Sequence, residues 1–168
     1  MNSISTSSTS PQGVQAIISG LKAAFFGALG VLFVAATPAL AIDEIYTGTF
    51  SDKAVDGYDV VTYFTEGKPR EGSKKHTYEW KGAEWRFVSA ANKALFVADP
   101  EKYAPQNGGY CTYAIANLND AGGDPELYDI RDGKLYLSYN NSIQKKFQKD
   151  PEGYIGKANV NWPKMLAE

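Results

Sequence analysis

The sequence has little of the chemistry on which most zinc and disulfide-stabilised proteins depend. Its 168 residues contain one cysteine and one histidine. A single thiol forms no internal disulfide, and one Cys with one His is too few for a four-ligand zinc site. With 17 basic and 19 acidic residues, the chain also lacks the positive charge that nucleic-acid binding requires. Eleven tyrosines and a 43% hydrophobic composition are too apolar for a disordered chain, so we expect a folded, tyrosine-rich domain.

Residues 1–41 have the composition of an export signal. They contain no acidic residue and one basic residue, Lys22, which precedes an apolar run over 23–36 and an Ala-Leu-Ala sequence at 39–41. This order is typical of a secretory signal peptide, and the apolar run is shorter than the roughly 20 residues that a bilayer span needs. We therefore predict a signal peptide at 1–41, a globular domain at 42–168, no stable membrane span after cleavage, and a periplasmic or extracellular location.

Two β-hairpins are predicted in the globular domain. Alternating apolar and polar residues flank Lys81-Gly82, with Tyr78 and Trp80 on one strand and Trp85 and Phe87 on the other. Asp132-Gly133 lies between two similar runs and is typical of a two-residue hairpin turn. Because hairpins and helices follow one another without alternating βαβ units, we predict an α+β fold, a small single domain of antiparallel hairpins packed with short helices and without internal repeats.

The remaining elements are predicted from caps and local composition. Ser89 is expected to cap a helix over 90–98 that turns Leu95 and Phe96 inward. The β-branched and aromatic run over 60–64 favours a short strand. Further predictions are a helix capped by Asn141 or Ser142, an amphipathic helix after Pro151, and a buried segment at 110–116 that is either helix or strand.

The aromatic hairpin and the sequence that closes the following helix resemble the YHS domain. The residues concerned are Tyr78, Trp80, Gly82, Trp85, Phe87 and Ser89, followed by Asp99-Pro-Glu-Lys-Tyr103. The flanks at 54–58, 108–111 and 132–136 are similar to exported bacterial stand-alone members. The resemblance implies the YHS fold. Metal-binding members of that family carry two cysteines at positions matched here by Val88 and Asn92, which are not thiolate ligands.

Cys111 and His76 are the candidate metal ligands. Cys111 is interpreted as a soft metal ligand, a redox thiol or a nucleophile, or else as a buried and inert small side chain. His76 follows two lysines and is either a metal ligand or general base, or an exposed loop histidine. Together the two side chains would suit copper or another soft metal ion, with a third donor.

The tyrosines suggest a second kind of site. Tyr58, Tyr63, Tyr110 and Tyr113, with Tyr136 and Tyr139, lie near the segments that resemble the family flanks. Phenol-lined pockets hold small planar or amphipathic ligands, whereas tyrosines on half-buried strands can also be merely structural.

The sequence therefore favours a non-enzymatic, exported YHS-type binding module for a metal ion or small ligand near Cys111 and the tyrosines. One alternative is a thiol-dependent redox protein or enzyme that uses Cys111 with His76. Another is a structural or interaction domain with a protein partner and no ligand. Neither nucleic acid nor a catalytic constellation is indicated.

Overall fold

A computed structural model describes residues 41–167, so the predicted signal peptide lies outside the described residues except for Ala41. Two antiparallel two-stranded sheets and six helices make up the fold, which confirms the predicted α+β class. The first six elements are a turn at Ala54–Gly57, α1 at Thr62–Thr65, β1 at Ser73–Trp80, β2 at Ala83–Phe87, α2 at Ala90–Ala98 and α3 at Pro100–Tyr103. The second six are a turn at Gln106–Gly109, α4 at Thr112–Ala116, β3 at Asp124–Arg131, β4 at Lys134–Ser138, α5 at Asn141–Phe147 and α6 at Pro151–Ala167. Within 41–167, no helix combines the length and apolar character needed to cross a bilayer.

Both predicted hairpins are confirmed. β1 pairs with β2 through Tyr78↔Trp85 and Trp80↔Ala83, and the turn places Lys81 and Gly82 in the left-handed region. β3 pairs with β4 around Asp132-Gly133, which has the same left-handed turn. The sequence predicts these elements well because a two-residue turn fixes the register of the strands that it joins.

The predicted helix over 90–98 is confirmed as α2, and the Ser89 side chain accepts a hydrogen bond from the Asn92 backbone N–H at 3.1 Å. Phe96 is fully buried, as expected, but Leu95 is 43% exposed, so its predicted inward orientation was wrong. Adjacent residues on a helix point about 100° apart, and only one of the two faces the hairpin.

Two other local predictions were wrong. The cap of α5 is Asn140, whose Oδ1 accepts from the Ile143 N–H at 2.9 Å, rather than Asn141 or Ser142. The run over 60–64 does not form a strand, because the chain turns at Asp59 and enters α1 at Thr62. Val60 and Val61 are completely buried there, so tertiary packing overrides their β propensity. The segment at 110–116, for which both helix and strand were considered, contains the helix α4 at Thr112–Ala116.

The expectation of no internal repeat was also wrong. The same six elements occur twice in the same order, first over 54–103 and then over 106–167. Each pair in the first hairpin has a counterpart 51 residues later: Ser73↔Phe87 corresponds to Asp124↔Ser138, and Thr77↔Arg86 to Tyr128↔Leu137. The register of each hairpin shifts at the same place, between Ser73 and Thr77 in β1 and between Asp124 and Tyr128 in β3. We call the two units the first and second copies.

Backbone hydrogen bonds repeat as well. Asp59 N–H donates to the Arg70 carbonyl in the first copy, and Cys111 N–H donates to the Ala121 carbonyl in the second. The opening turns share three successive left-handed residues, Val55 to Gly57 and Asn107 to Gly109. In sequence, little survives beyond Asp99-Pro-Glu-Lys-Tyr and Asp150-Pro-Glu-Gly-Tyr. The duplication is therefore carried by backbone geometry, and few side chains reveal it.

The largest core cluster lies between the first hairpin and its helices and extends into the second copy. The Phe96 ring packs against those of Trp85 and Phe87, with centroid distances of 4.8 and 5.2 Å. Leu135 and Leu137 of β4 belong to the same cluster. A smaller cluster joins α4 to α6. Because one core contains residues from both copies, the copies form a single packed body rather than two separable domains.

Candidate functional site

A buried carboxylate organises the first copy. Asp59 is completely buried, and its Oδ1 accepts from the Val61 N–H at 2.9 Å. Its Oδ2 accepts from the Val88 N–H and from Asn92 Nδ2, both at 2.8 Å. These contacts join the start of α1 to the end of β2 and to α2. Charge-assisted bonds of this kind fix three elements at one point.

The equivalent position in the second copy is Cys111. It too is completely buried, and it follows the left-handed turn of its copy by the same number of residues as Asp59 does. Cys111 lies directly before α4, whereas Asp59 lies three residues before α1. The counterparts of Val88 and Asn92 are Tyr139 and Ile143, so a carboxylate network is replaced by a thiol, a phenol and an aliphatic side chain. The polar junction of the first copy is therefore absent from the second.

A cavity of about 380 Å³ occupies this place in the second copy. We call it the Cys111 cavity. Apolar and aromatic side chains form most of its wall, and two amides supply the polar groups; the lining residues are Cys111, Tyr113, Ala114, Asn117, Asn119, Ala121, Tyr139 and Ile143. Its volume and composition are those of a small-molecule site, in which a few polar groups orient a mainly apolar ligand.

The lining of the Cys111 cavity contains no histidine and no charged side chain. A catalytic thiol needs a neighbouring base or cation that stabilises the thiolate. The Asn117 amide nitrogen is already used, since it donates to the Tyr113 carbonyl at 2.7 Å. The lining therefore offers neutral hydrogen-bonding groups and apolar surface, and none of its residues is a base or a cation beside Cys111.

The first copy includes the segment that resembles a known family. Residues 61–107 match the family model described as the YHS domain. This segment is a YHS domain. The match contains the whole of the 77–103 resemblance and ends inside the turn that opens the second copy. Neither the curated proteins nor the solved structures include a match to this chain.

The cysteine positions of metal-binding YHS members lie at the carboxylate network in this chain. Val88 offers its backbone N–H and Asn92 its side-chain N–H₂, and both donate to Asp59. Neither position supplies a thiolate, and the N–H groups of both residues are engaged by the Asp59 carboxylate. The residues of this YHS domain therefore do not fit the metal site of those members.

The structure places His76 on the first hairpin and Cys111 beside the second. His76 is half-buried on β1, in the irregular stretch between Ser73 and Thr77, whereas Cys111 forms a bridge with Leu137 of β4. Across residues 41–167, no group of three or more His, Cys, Asp or Glu side chains is arranged to hold a metal ion.

The predicted tyrosines are distributed over three places. Tyr113 is the one of the four that lines the Cys111 cavity. Tyr63 is buried and donates its hydroxyl to the Pro125 carbonyl at 2.7 Å, which ties α1 to β3. Tyr58 donates to Glu126 Oε1 at 3.2 Å and lines a shallow depression of about 470 Å³ on the neighbouring surface. Tyr139 lines both that depression and the Cys111 cavity.

Tyr110 is a packing residue. Its ring lies 5.1 Å from Tyr46 and 5.6 Å from Trp162, and burial raises its pKa to about 12, with smaller contributions from Asp43 and Asp120. A raised folded-state pKa means that the neutral phenol is favoured. Its contribution to stability is therefore present below pH 10 and is lost as the pH rises from about 10 to about 12.

We expect this to be visible in an alkaline titration followed by phenolate absorbance. The Tyr110→Phe variant is expected to lose ionisation from the part of the curve near pH 12 and to leave the part near pH 10 unchanged, because exposed tyrosines titrate near 10. Loss of ionisation near pH 10 in the Tyr110 variant would contradict the burial.

Sequence reasoning missed Asp59 and Ile143, whereas Tyr139 is among the tyrosines that it named and lines the cavity. The sequence does not identify Asp59 as a site residue, because its partners Val88 and Asn92 are 29 and 33 residues away. The available indication was the second Asp-Pro-Glu-x-Tyr sequence at 150–154. Aligning it with 99–103 places Cys111 close to the counterpart of Asp59 and predicts a second copy.

Proposed function

We propose that this chain is an exported, non-enzymatic binding module that holds a small planar or amphipathic ligand in the Cys111 cavity. The observation that carries the proposal is the cavity itself, which lies where the first copy has its Asp59 network. One copy thus has a filled, hydrogen-bonded junction and the other a space lined by Tyr113, Tyr139 and Ile143. Export rests on the predicted signal peptide.

The chemistry of the lining supports a neutral ligand with one flat face. Two phenol rings and an isoleucine offer contact to an aromatic or alicyclic skeleton, and Asn119 offers an amide to a hydroxyl or carbonyl group. A strongly charged ligand would lose its hydration without a counter-charge in the lining. The absence of a base from the lining argues against a thiol enzyme that uses Cys111 with His76.

The test uses 2-naphthol as a probe, because it combines a planar ring with a single hydroxyl. We expect it to shift the amide resonances of Cys111, Tyr113 and Ile143 and to slow alkylation of Cys111 by iodoacetamide. The Ala121→Leu variant fills the cavity and is expected to weaken this binding at least about tenfold, since the added side chain and the probe need the same volume.

Ala94→Leu is the matched control, because Ala94 is exposed on α2 and remote from the cavity lining. Equal binding by both variants would refute the cavity as the site. Complete absence of binding and protection would favour the structural or interaction alternative. Titration with Cu(I) and Zn²⁺ in parallel, against Cys111→Ala, tests the copper hypothesis: stoichiometric binding that Cys111→Ala abolishes would replace the small-ligand proposal by a metal site.

A further inference from the structure

A second cavity lies where the two copies join. It has a volume of about 160 Å³ and is bounded by the chain that links α3 to the second turn, by the first hairpin turn and by α6. We call it the Asn107 cavity. Its polar and aromatic walls come from Trp80, Lys81, Gln106, Asn107, Asn159 and Trp162, with Glu44 and Glu101 at Lys81. It shares no lining residue with the Cys111 cavity.

The side chain of Asn107 is the unexplained group in this cavity. Asn107 is 7% exposed, and its Oδ1 is buried without a hydrogen-bond partner among residues 41–167. The equivalent residue of the first copy is Val55, which has the same left-handed backbone and belongs to the apolar core. An apolar side chain therefore meets the needs of the fold at this turn. A buried amide oxygen without a partner is destabilising, so its presence calls for a role other than packing.

The one ammonium group of the cavity is already paired with two carboxylates. Lys81 Nζ lies 2.7 Å from Glu44 Oε1 and 2.8 Å from Glu101 Oε1, and it also lies 4.4 Å from the centre of the Trp80 ring. An ammonium group has three donors, and these two contacts leave one of them available. An anion entering the cavity would meet two carboxylates, and a cation would compete with Lys81 for them. A neutral ligand avoids both penalties.

The unused groups include donors and acceptors side by side. The third N–H of Lys81 and the amides of Gln106 and Asn159 can donate, whereas the second oxygens of Glu44 and Glu101 can accept. A hydroxyl donates and accepts, so it can pair with whichever end of the Asn107 amide faces the cavity. The half-buried Trp162 indole adds an apolar wall, one side of which is covered by Tyr110.

We propose that the Asn107 cavity binds a small neutral polyhydroxyl compound, of the size of a single sugar ring. Several adjacent hydroxyls on a compact skeleton match a lining that offers both donors and acceptors, and the C–H face of the ring lies against Trp162. The cavity has the volume of about five water molecules, so part of such a ring projects into solvent. The site is independent of the ligand of the Cys111 cavity.

The experiment follows the three indole N–H resonances of the chain during titration with methyl β-D-glucopyranoside. We expect the Trp162 signal to shift most. The Trp85 signal serves as an internal reference, because its Nε1–H is engaged with the Trp80 carbonyl at 3.1 Å and its ring is buried. Methoxycyclohexane, which has the same ring size without the hydroxyl array, is expected to cause no comparable shift.

Two variants test the residues. Asn107→Val copies the residue that the first copy has at this turn, and we expect it to weaken the glucoside at least about tenfold while the protein stays folded. Trp162→Leu is expected to do the same through loss of the indole wall. Asn119→Ala removes an amide of the Cys111 cavity and is expected to leave the affinity unchanged. An unmoved Trp162 signal, equal binding of methoxycyclohexane, or unchanged affinity in both Asn107→Val and Trp162→Leu would overturn the proposal.

Discussion

Replacing Phe96 with alanine is expected to lower the free energy of unfolding by about 3–5 kcal/mol. Phe96 is completely buried and is the common neighbour of the hairpin aromatics. Its ring centroid lies 4.8 Å from that of Trp85, 5.2 Å from Phe87 and 5.7 Å from Trp80. Removing the ring leaves a cavity between α2 and the sheet that these rigid neighbours cannot close, so the cost of the cavity adds to the loss of apolar burial.

Urea unfolding, followed by far-ultraviolet circular dichroism, measures this change. Leu95→Ala is the control on the same helix: Leu95 is 43% exposed, so its loss is expected to cost less than about 1 kcal/mol. Phe147→Ala is the counterpart in the second copy, where Phe147 is buried at the corresponding place in α5, and it is expected to cost about as much as Phe96→Ala. Equal costs for Leu95→Ala and Phe96→Ala would contradict the described orientation of α2.

A single cooperative transition is expected in all of these variants. Leu135 and Leu137 of the second hairpin lie in the core cluster that contains Phe96, and Tyr63 in the first copy donates to the Pro125 carbonyl in the second. Loss of packing in one copy therefore removes contacts of the other. Each copy is a repeat of the same arrangement of helices and strands, but we expect the two copies to fold and unfold together.

The hairpins and the α2 helix were predictable because their determinants are local. A two-residue turn, a pair of aromatic strands and a Ser89 cap can each be recognised within a dozen residues of sequence. The segment over 60–64 was not predictable in this way. Its β-branched residues are typical of a strand, but the Asp59 side chain accepts from the Val61 N–H and starts the turn into α1. The partners that hold Asp59 in place are 29 and 33 residues away.

The duplication was hidden for a related reason. What the copies share is mostly backbone: the left-handed turns, the register of each hairpin and the helix caps. Ser89 in one copy and Asn140 in the other cap equivalent helices with different side chains. Side-chain identity persists mainly in the Asp-Pro-Glu-x-Tyr sequences, which are five residues long. The duplication is therefore weak when the amino acids of the two copies are compared and clear when their backbone conformations are compared.

The candidate site was predicted in part. Sequence reasoning selected Cys111 and Tyr113, and both line the Cys111 cavity. It selected Tyr63 and Tyr110 for the same phenol chemistry, but no short-range pattern distinguishes a phenol that packs in the core from one that lines a space. The decisive fact is that Cys111 takes the place of Asp59, and that equivalence is a property of the fold.

Replacing Asp59 with alanine is expected to destabilise the protein by about 3 kcal/mol or more. Three donors, the N–H groups of Val61 and Val88 and the side chain of Asn92, lose their acceptor while they remain buried or half-buried. A hydrogen bond to a charged group contributes about 1.5–3 kcal/mol, and a buried donor left without a partner costs its desolvation as well. Chemical denaturation measures the loss, and Asp52→Ala, at an exposed loop carboxylate, is the control.

The same position distinguishes the roles of the two copies. Asp59→Cys introduces the residue that the second copy has at this place, and it is expected to destabilise nearly as much as Asp59→Ala, since a thiol is a weak acceptor. Cys111→Ala removes a small buried side chain beside an existing cavity and is expected to cost about 1 kcal/mol. If Asp59→Cys were as stable as the native chain, the carboxylate would not be what holds α1, β2 and α2 together. If Cys111→Ala were as costly as Asp59→Ala, Cys111 would be a structural residue. The Cys111 cavity could then no longer be interpreted as a ligand site that replaces the Asp59 network.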